Sequence, residues 1–175
     1  MKNIQNIINE FQQIENVKAI SLAGSRAANS SDKTSDYDIY VYSDTEIDIQ
    51  KRENIAKKFS DRYEINNCFF GPGDEWFIKN TNIQIDLMYR TREWMENSIE
   101  NTWTKHYPCV GYSTCFVFNL KNSIILYDPE NWYKNLQTKV CTNYPDELAK
   151  NIINNNLPLL KNKISASFYE QVEKA

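Results

Sequence analysis

Histidine is nearly missing from this chain: among 175 residues only His106 carries an imidazole. That removes the usual means of acid–base work near neutral pH and most metal sites built on histidine. The four cysteines, Cys68, Cys109, Cys115 and Cys141, form no C-x-x-C pair, so zinc-ligand spacing is absent too. They are expected to be reduced thiols buried as small hydrophobes. No run approaches the ~20 apolar residues of a membrane span. The start, MKNIQNIINEFQQI, has no charged segment followed by an apolar one. A cytoplasmic protein with no membrane partner is expected. Positive charge is not in excess either, because 20 Lys and Arg face 23 Asp and Glu, a formal net charge of −3. Gripping nucleic acid by bulk charge is therefore disfavoured, and a polyanion would have to be met by a local patch or through a metal ion.

What is present suits burial. Apolar residues make up 41% and aromatics 13%, enough for one core-forming domain and a small appendage. Ile4, Ile7, Ile8, Phe11 and Ile14 follow helical spacing and predict an amphipathic helix. VKAISLAG (17–24) and DYDIYVYS (36–43) read as a hairpin-like strand pair joined by a polar loop. A helix is expected late in 45–62, in which the KRENIAKK run (51–58) reads as a solvated face. YEINNCFF (63–70) and NIQIDLMYR (82–90) read as strands, with Gly71-Pro72-Gly73-Asp74 as a turn. TREWMENSIENTWTKH reads as helix, CFVFNL as helix or buried strand, and SIILYDPE as a last strand. Beyond Pro145 the chain reads as helix that Pro158 should kink or divide. The expected fold is α/β (α+β), a mixed sheet flanked by helices. Residues 1–143 would be the main domain and 144–175 a helical segment, the start of a larger helical part.

Asp36 and Asp38 lie two apart in a strand pattern and should share a face, their side-chain bases roughly 7 Å apart. A hard divalent cation suits them, since Mg²⁺ is commonly held by one or two carboxylates together with substrate phosphates. Asp86, between Ile85 and Leu87, is a third acid in a buried-looking strand and needs a partner. Read singly, the three also fit plain roles: a loop cap, a solvated acid and half of an ion pair. If their strands are adjacent, the three meet at one point, an arrangement suited to phosphoryl chemistry on two metal ions. Upstream, Gly24 after a strand lets the backbone approach a ligand. The N–H groups around Gly24-Ser25-Arg26 can cradle phosphate oxygens, with the Ser25 hydroxyl donating and Arg26 adding charge.

The pattern apolar-Gly24-Ser25, ten residues, Asp36-Tyr37-Asp38, then apolar-Asp86-apolar resembles the polymerase-beta-like nucleotidyltransferase superfamily. GSRAANSSDKTSDYDIYVY, EINN, GYSTC and ILYD look like a bacterial branch related to the aminoglycoside and lincosamide adenylyltransferases. The resemblance implies a polymerase-beta-like core in which Gly24 and Ser25 hold nucleotide phosphates and Asp36 and Asp38 ligate Mg²⁺, two ions in all. Asp86 would complete the site as metal ligand or base. It implies transfer of NMP, in the first instance AMP from ATP, to an acceptor hydroxyl with release of pyrophosphate. The acceptor would be a small molecule of aminoglycoside type, RNA and protein being the other classes. The rival reading is an antitoxin-like, protein-modifying or nucleotide-binding module acting on a partner protein. Other residues carry weaker readings: Glu64 could reach the same cleft from a neighbouring strand, while His106, Lys105, Lys121 and the tryptophans read better as structural or solvated groups.

Overall fold

The computed structural model describes residues 2–28, 35–68, 71–108 and 114–161. The expected first helix, α1 (Lys2–Gln12), forms because its apolar stripe has a surface to cover: Ile7, Ile8 and Phe11 are essentially fully buried. Two strands follow, β1 (Val17–Leu22) and β2 (Tyr37–Ser43), antiparallel to each other, with the short helical turn α2 (Gly24–Ala27) between them. Helix α3 (Ile49–Phe59) is capped by Asp48, whose carboxylate accepts from Lys51 N at 3.1 Å. Next come β3 (Ser60–Asn67), β4 (Gly73–Ile78) and β5 (Gln84–Thr91). Helix α4 (Arg92–Ile99) starts directly from β5, capped by Thr91. It runs into a π-helical turn, Glu100–Thr104. The chain closes with α5 (Cys115–Asn122), β6 (Ile124–Tyr127), α6 (Trp132–Val140) and α7 (Asp146–Lys161).

The six strands stand in the order β3-β4-β5-β2-β1-β6, and every neighbouring pair is antiparallel except β2 with β5. The sheet is therefore mixed, as expected. One face carries Ile39, Val41, Ile85, Leu87 and Trp76 and is covered by α1 and α3. The other face is covered only in part. Ala19 and Tyr42 pack there against Met95 and Ile99 of α4, Leu120 of α5 and Tyr133 of α6. Leu148 of α7, fully buried, joins the same cluster. Buried polar groups on this side are paired: the Tyr133 hydroxyl meets Ser123 Oγ at 2.8 Å and takes a hydrogen bond from Ser21 Oγ at 3.1 Å.

Several expectations need correction. The stretch opening with Gly73-Asp74 is a strand, β4, and not only a turn. Its inward positions are Asp74, Trp76 and Ile78, all buried, so an acid stands where alternation calls for an apolar residue. The reason is Arg52, which was expected on a solvated helix face and is only 3% exposed, its Nη1 3.4 Å from Asp74 Oδ1. CFVFNL proves helical, and α6 fills a stretch assigned to no element. In α6 the Asp128 carboxylate accepts from the first-turn amides of Tyr133 and Lys134. Pro158 does not divide α7, which continues to Lys161. The carbonyl it deprives of a partner belongs to Asn154, which is exposed to water. Cys68, Cys115 and Cys141 are exposed, not buried, and Cys109 lies outside the described residues, as do residues 111–113 of the GYSTC stretch.

Candidate active site

Parallel pairing of β2 with β5 sets Asp38 directly beside Asp86 in register. Asp36, just ahead of β2, completes the group: one carboxylate oxygen from each of Asp36, Asp38 and Asp86 lies within 4.8 Å of the others. All three are half-buried. Crowding three acids in a partly desolvated spot makes their ionised forms costly. Burial first, then the neighbouring Asp36 and Asp86, push the Asp38 carboxyl up to about 6. Asp86 is raised by burial and by Asp36, against the opposing effect of Gln84, whose Nε2 donates to Asp86 Oδ1 at 2.9 Å. An all-oxygen donor set with mutual repulsion of this kind fits a hard divalent cation such as Mg²⁺.

Gly24 adjoins the same point for a reason the sequence did not reveal. Its φ is +62°, and a Cβ built on it would lie 1.7 Å from Asp38 Oδ2. Any side chain would claim the space of the Asp38 carboxylate. The backbone beside it is tied to β2 by Ala23 N, which donates to Asp38 O at 2.8 Å. Ser25 and Arg26 follow within α2. Arg26 Nε donates to Asp36 O at 2.7 Å and to Ser35 O at 3.1 Å, Nη2 also donates to Ser35 O, and the guanidinium lies 3.9 Å from the centre of the Tyr37 ring. Arg26 thus fastens the entry of β2 and holds the backbone that carries Asp36.

Two contributors escaped the sequence reading. Gln84 steadies Asp86 from two residues upstream on the same strand face, a spacing that could have marked it. Glu75, on the unforeseen β4, stands opposite Asp86, and Glu64 of β3 stands opposite Glu75. Asp38, Asp86, Glu75 and Glu64 therefore make one acidic row across four strands on the open part of the sheet. Burial, Asp86 and Glu64 raise the Glu75 carboxyl, while Arg62 opposes them. Glu64 extends the row from the edge strand, where it is exposed. A cleft of about 240 Å³ beside Asp86 is lined by Asn67, Gly73, Glu75 and Met88.

The groups set aside earlier lie elsewhere. Trp76 and Trp103 are buried, Trp132 Nε1 donates to Glu96 and Lys121 Nζ to Thr142 O. His106, at φ +58°, is held through its carbonyl by Asn151. Among the described residues no helix is long and apolar enough to cross a membrane.

Of the comparisons with known proteins, the match to a family model agrees with this geometry. A search of the curated proteins gives no match. Among solved structures, a toxin–antitoxin crystallised with AMP-PNP is similar at 13% identity and a TM-score of 0.44, covering 92% of this chain and 98% of that one. A mutant of the toxin–antitoxin MntA-HpeT is similar at 12% identity and a TM-score of 0.43, with the same coverage. The polymerase beta nucleotidyltransferase family model matches residues 5–94, just over half the chain and the part that carries Gly24, Asp36, Asp38 and Asp86. This chain is a nucleotidyltransferase and belongs to the polymerase-beta-like superfamily.

Proposed function

We propose that the protein transfers a nucleoside monophosphate, AMP from ATP in the first instance, to a hydroxyl of a small cationic acceptor of aminoglycoside type. The observation that carries this reading is the convergence of Asp36, Asp38 and Asp86 at one point of the open sheet face. In the reaction the acceptor oxygen forms a bond to the α-phosphorus, the bond from that phosphorus to the bridging oxygen breaks, and pyrophosphate leaves. Asp36, Asp38 and Asp86 would hold Mg²⁺. When bound, the metal screens the triphosphate charge and stabilises the leaving group.

The chain's own residues supply the rest. Gly24 leaves the room in which the Asp38 carboxylate sits. Ser25 and the turn around it meet the phosphates, and Arg26 keeps Asp36 in place through the backbone. Asp86, oriented by Gln84, takes the proton of the attacking hydroxyl. Glu75 and Glu64, continuing the row beyond Asp86, supply the negative surface on which an acceptor bearing several ammonium groups would lie.

The test is incubation with Mg²⁺, each of the four NTPs and a panel of aminoglycosides, read by mass spectrometry. Addition of one nucleotide to an acceptor by the wild type, absent with Asp38→Asn, is the expected result. Transfer of label to a protein instead would move the acceptor to the protein-modifying class, and turnover retained by Asp38→Asn would overturn the site assignment.

A further inference from the structure

Strand β3 stands at one end of the sheet, and among the described residues no strand pairs with its outer side. It is eight residues long, and the unpaired backbone groups along such an edge are a template for another strand. Which groups are unpaired follows from the neighbouring ladder. Tyr89 N donates to Pro72 O and Ile78 N to Ile83 O, so the even-numbered positions of β4 bond to β5. Its odd-numbered positions Glu75 and Phe77 bond instead to the residues opposite them, Glu64 and Arg62. Tyr63 and Ile65 therefore point their backbone N–H and C=O groups outward, away from β4. Irregular pairing is confined to the two ends, between Ser60 and Arg62 and between Ile65 and Asn67, and leaves 62–65 regular.

The side chains of this regular stretch carry a pattern. Arg62 and Glu64 share the open face of the sheet and are both exposed. The Arg62 guanidinium lies 3.5 Å from the centre of the Phe77 ring. Among the described residues neither Arg62 nor Glu64 takes part in an ion pair. Three two-fold registers could set this stretch against a second copy of itself, centred on Arg62, Tyr63 or Glu64. Centring on Arg62 opposes arginine to arginine, and centring on Glu64 opposes glutamate to glutamate, both repulsive. Centring on Tyr63 opposes Arg62 to Glu64 of the second copy, twice over. These are then the non-hydrogen-bonded pairs, in which side chains come closest, while the outward N–H and C=O of Tyr63 meet those of the second copy.

We propose that the outer edge of β3 pairs antiparallel with β3 of a second copy in the register centred on Tyr63, giving a two-fold dimer with one continuous twelve-stranded sheet. Both carboxylate triads then look out on the same side. Glu64 is engaged by Arg62 of the second copy, which leaves Glu75 as the outermost free acid of the row. The pairing does not depend on the reading of the reaction.

The experiment is sedimentation velocity of the full chain from about 1 μM to about 1 mM, the range suited to a small edge-to-edge interface. Wild type should pass from monomer to dimer as concentration rises, less readily in high salt. Arg62→Glu and Glu64→Arg each set like charges across the axis, and each alone should raise the dimer Kd about tenfold or more. An equimolar mixture of the two restores opposite charges at both positions and should dimerise, as should the chain carrying both changes. Both side chains are exposed, and circular dichroism checks that the variants fold. Three results would overturn the proposal. Wild type that stays monomeric leaves the edge to a strand of another protein; undiminished dimers of both single variants place the interface elsewhere; a monomeric mixture rejects the register.

Discussion

At the residue scale the tightest constraint is the pairing of Gly24 with Asp38. Gly24→Ala places a Cβ where Asp38 Oδ2 stands, at a backbone angle that L side chains rarely adopt. The carboxylate must move, so nucleotide transfer should fall to near background. Urea unfolding should show a loss of about 1–3 kcal/mol from the strained backbone. Asp38→Asn has the opposite thermodynamic sign. In the fold the Asp38 carboxyl is raised from 3.8 to about 6, so the metal-free native state binds a proton that the unfolded state releases. Its stabilising effect is complete below the ordinary value and is lost as pH rises through the raised one. Asp86 and Glu75 shift in the same direction. Asp38→Asn, which cannot ionise, should therefore gain stability relative to metal-free wild type as pH rises from about 4 to about 7. Urea midpoints at both pH values give the comparison. A gap that shrinks with pH would contradict the arrangement of the three acids. Mg²⁺ needs the ionised carboxylate, so its addition should raise the midpoint of wild type more at the higher pH.

At the scale of elements, β4 is the informative strand. It carries Asp74 inward to Arg52 and Glu75 outward to Asp86. Asp74 also accepts from Tyr89 Oη at 2.7 Å and Asn66 N at 2.8 Å, so one acid joins α3, β3 and β5. Removing its counter-charge by Arg52→Leu leaves a buried carboxylate without its cation and should cost about 3–5 kcal/mol in urea unfolding. Restoring charge neutrality with Asp74→Asn in the same chain should recover part of that loss. On the outward face, Glu75→Gln tests the cationic acceptor. KM for the acceptor should rise about tenfold, as expected for loss of one charged contact, with KM for ATP unchanged. A fall in kcat at constant KM would place Glu75 in the chemistry instead.

At the scale of the whole molecule, the sheet is covered fully on one face and partly on the other, and the uncovered part holds the carboxylates. Helix α7 belongs to the partial cover, for Leu148 is fully buried among Ala19, Met95 and Leu120. Leu148→Ala should cost about 2–5 kcal/mol and lower a single unfolding transition. Two separate transitions would instead make the C-terminal helix an independent unit.

What the sequence determined by itself was local. The helical stripe of α1, the short apolar run of β1, the alternation in β2 and the spacing of Asp36 and Asp38 are set within a few residues, so near neighbours suffice to read them. The Gly24-Ser25 turn and Asp86 were legible as motif members because their residue types and order match the superfamily pattern. Only the tertiary structure decided that β5 pairs with β2, which brings Asp86 across 48 positions to Asp38. It also made β4 a strand despite an inward acid, since the partner that makes Asp74 tolerable lies on α3. The same holds for Gly24, kept free of a side chain by a carboxylate 14 positions along the chain. Strand order and the pairing of buried charges come from packing energies summed over distant segments, and no short window of sequence contains them.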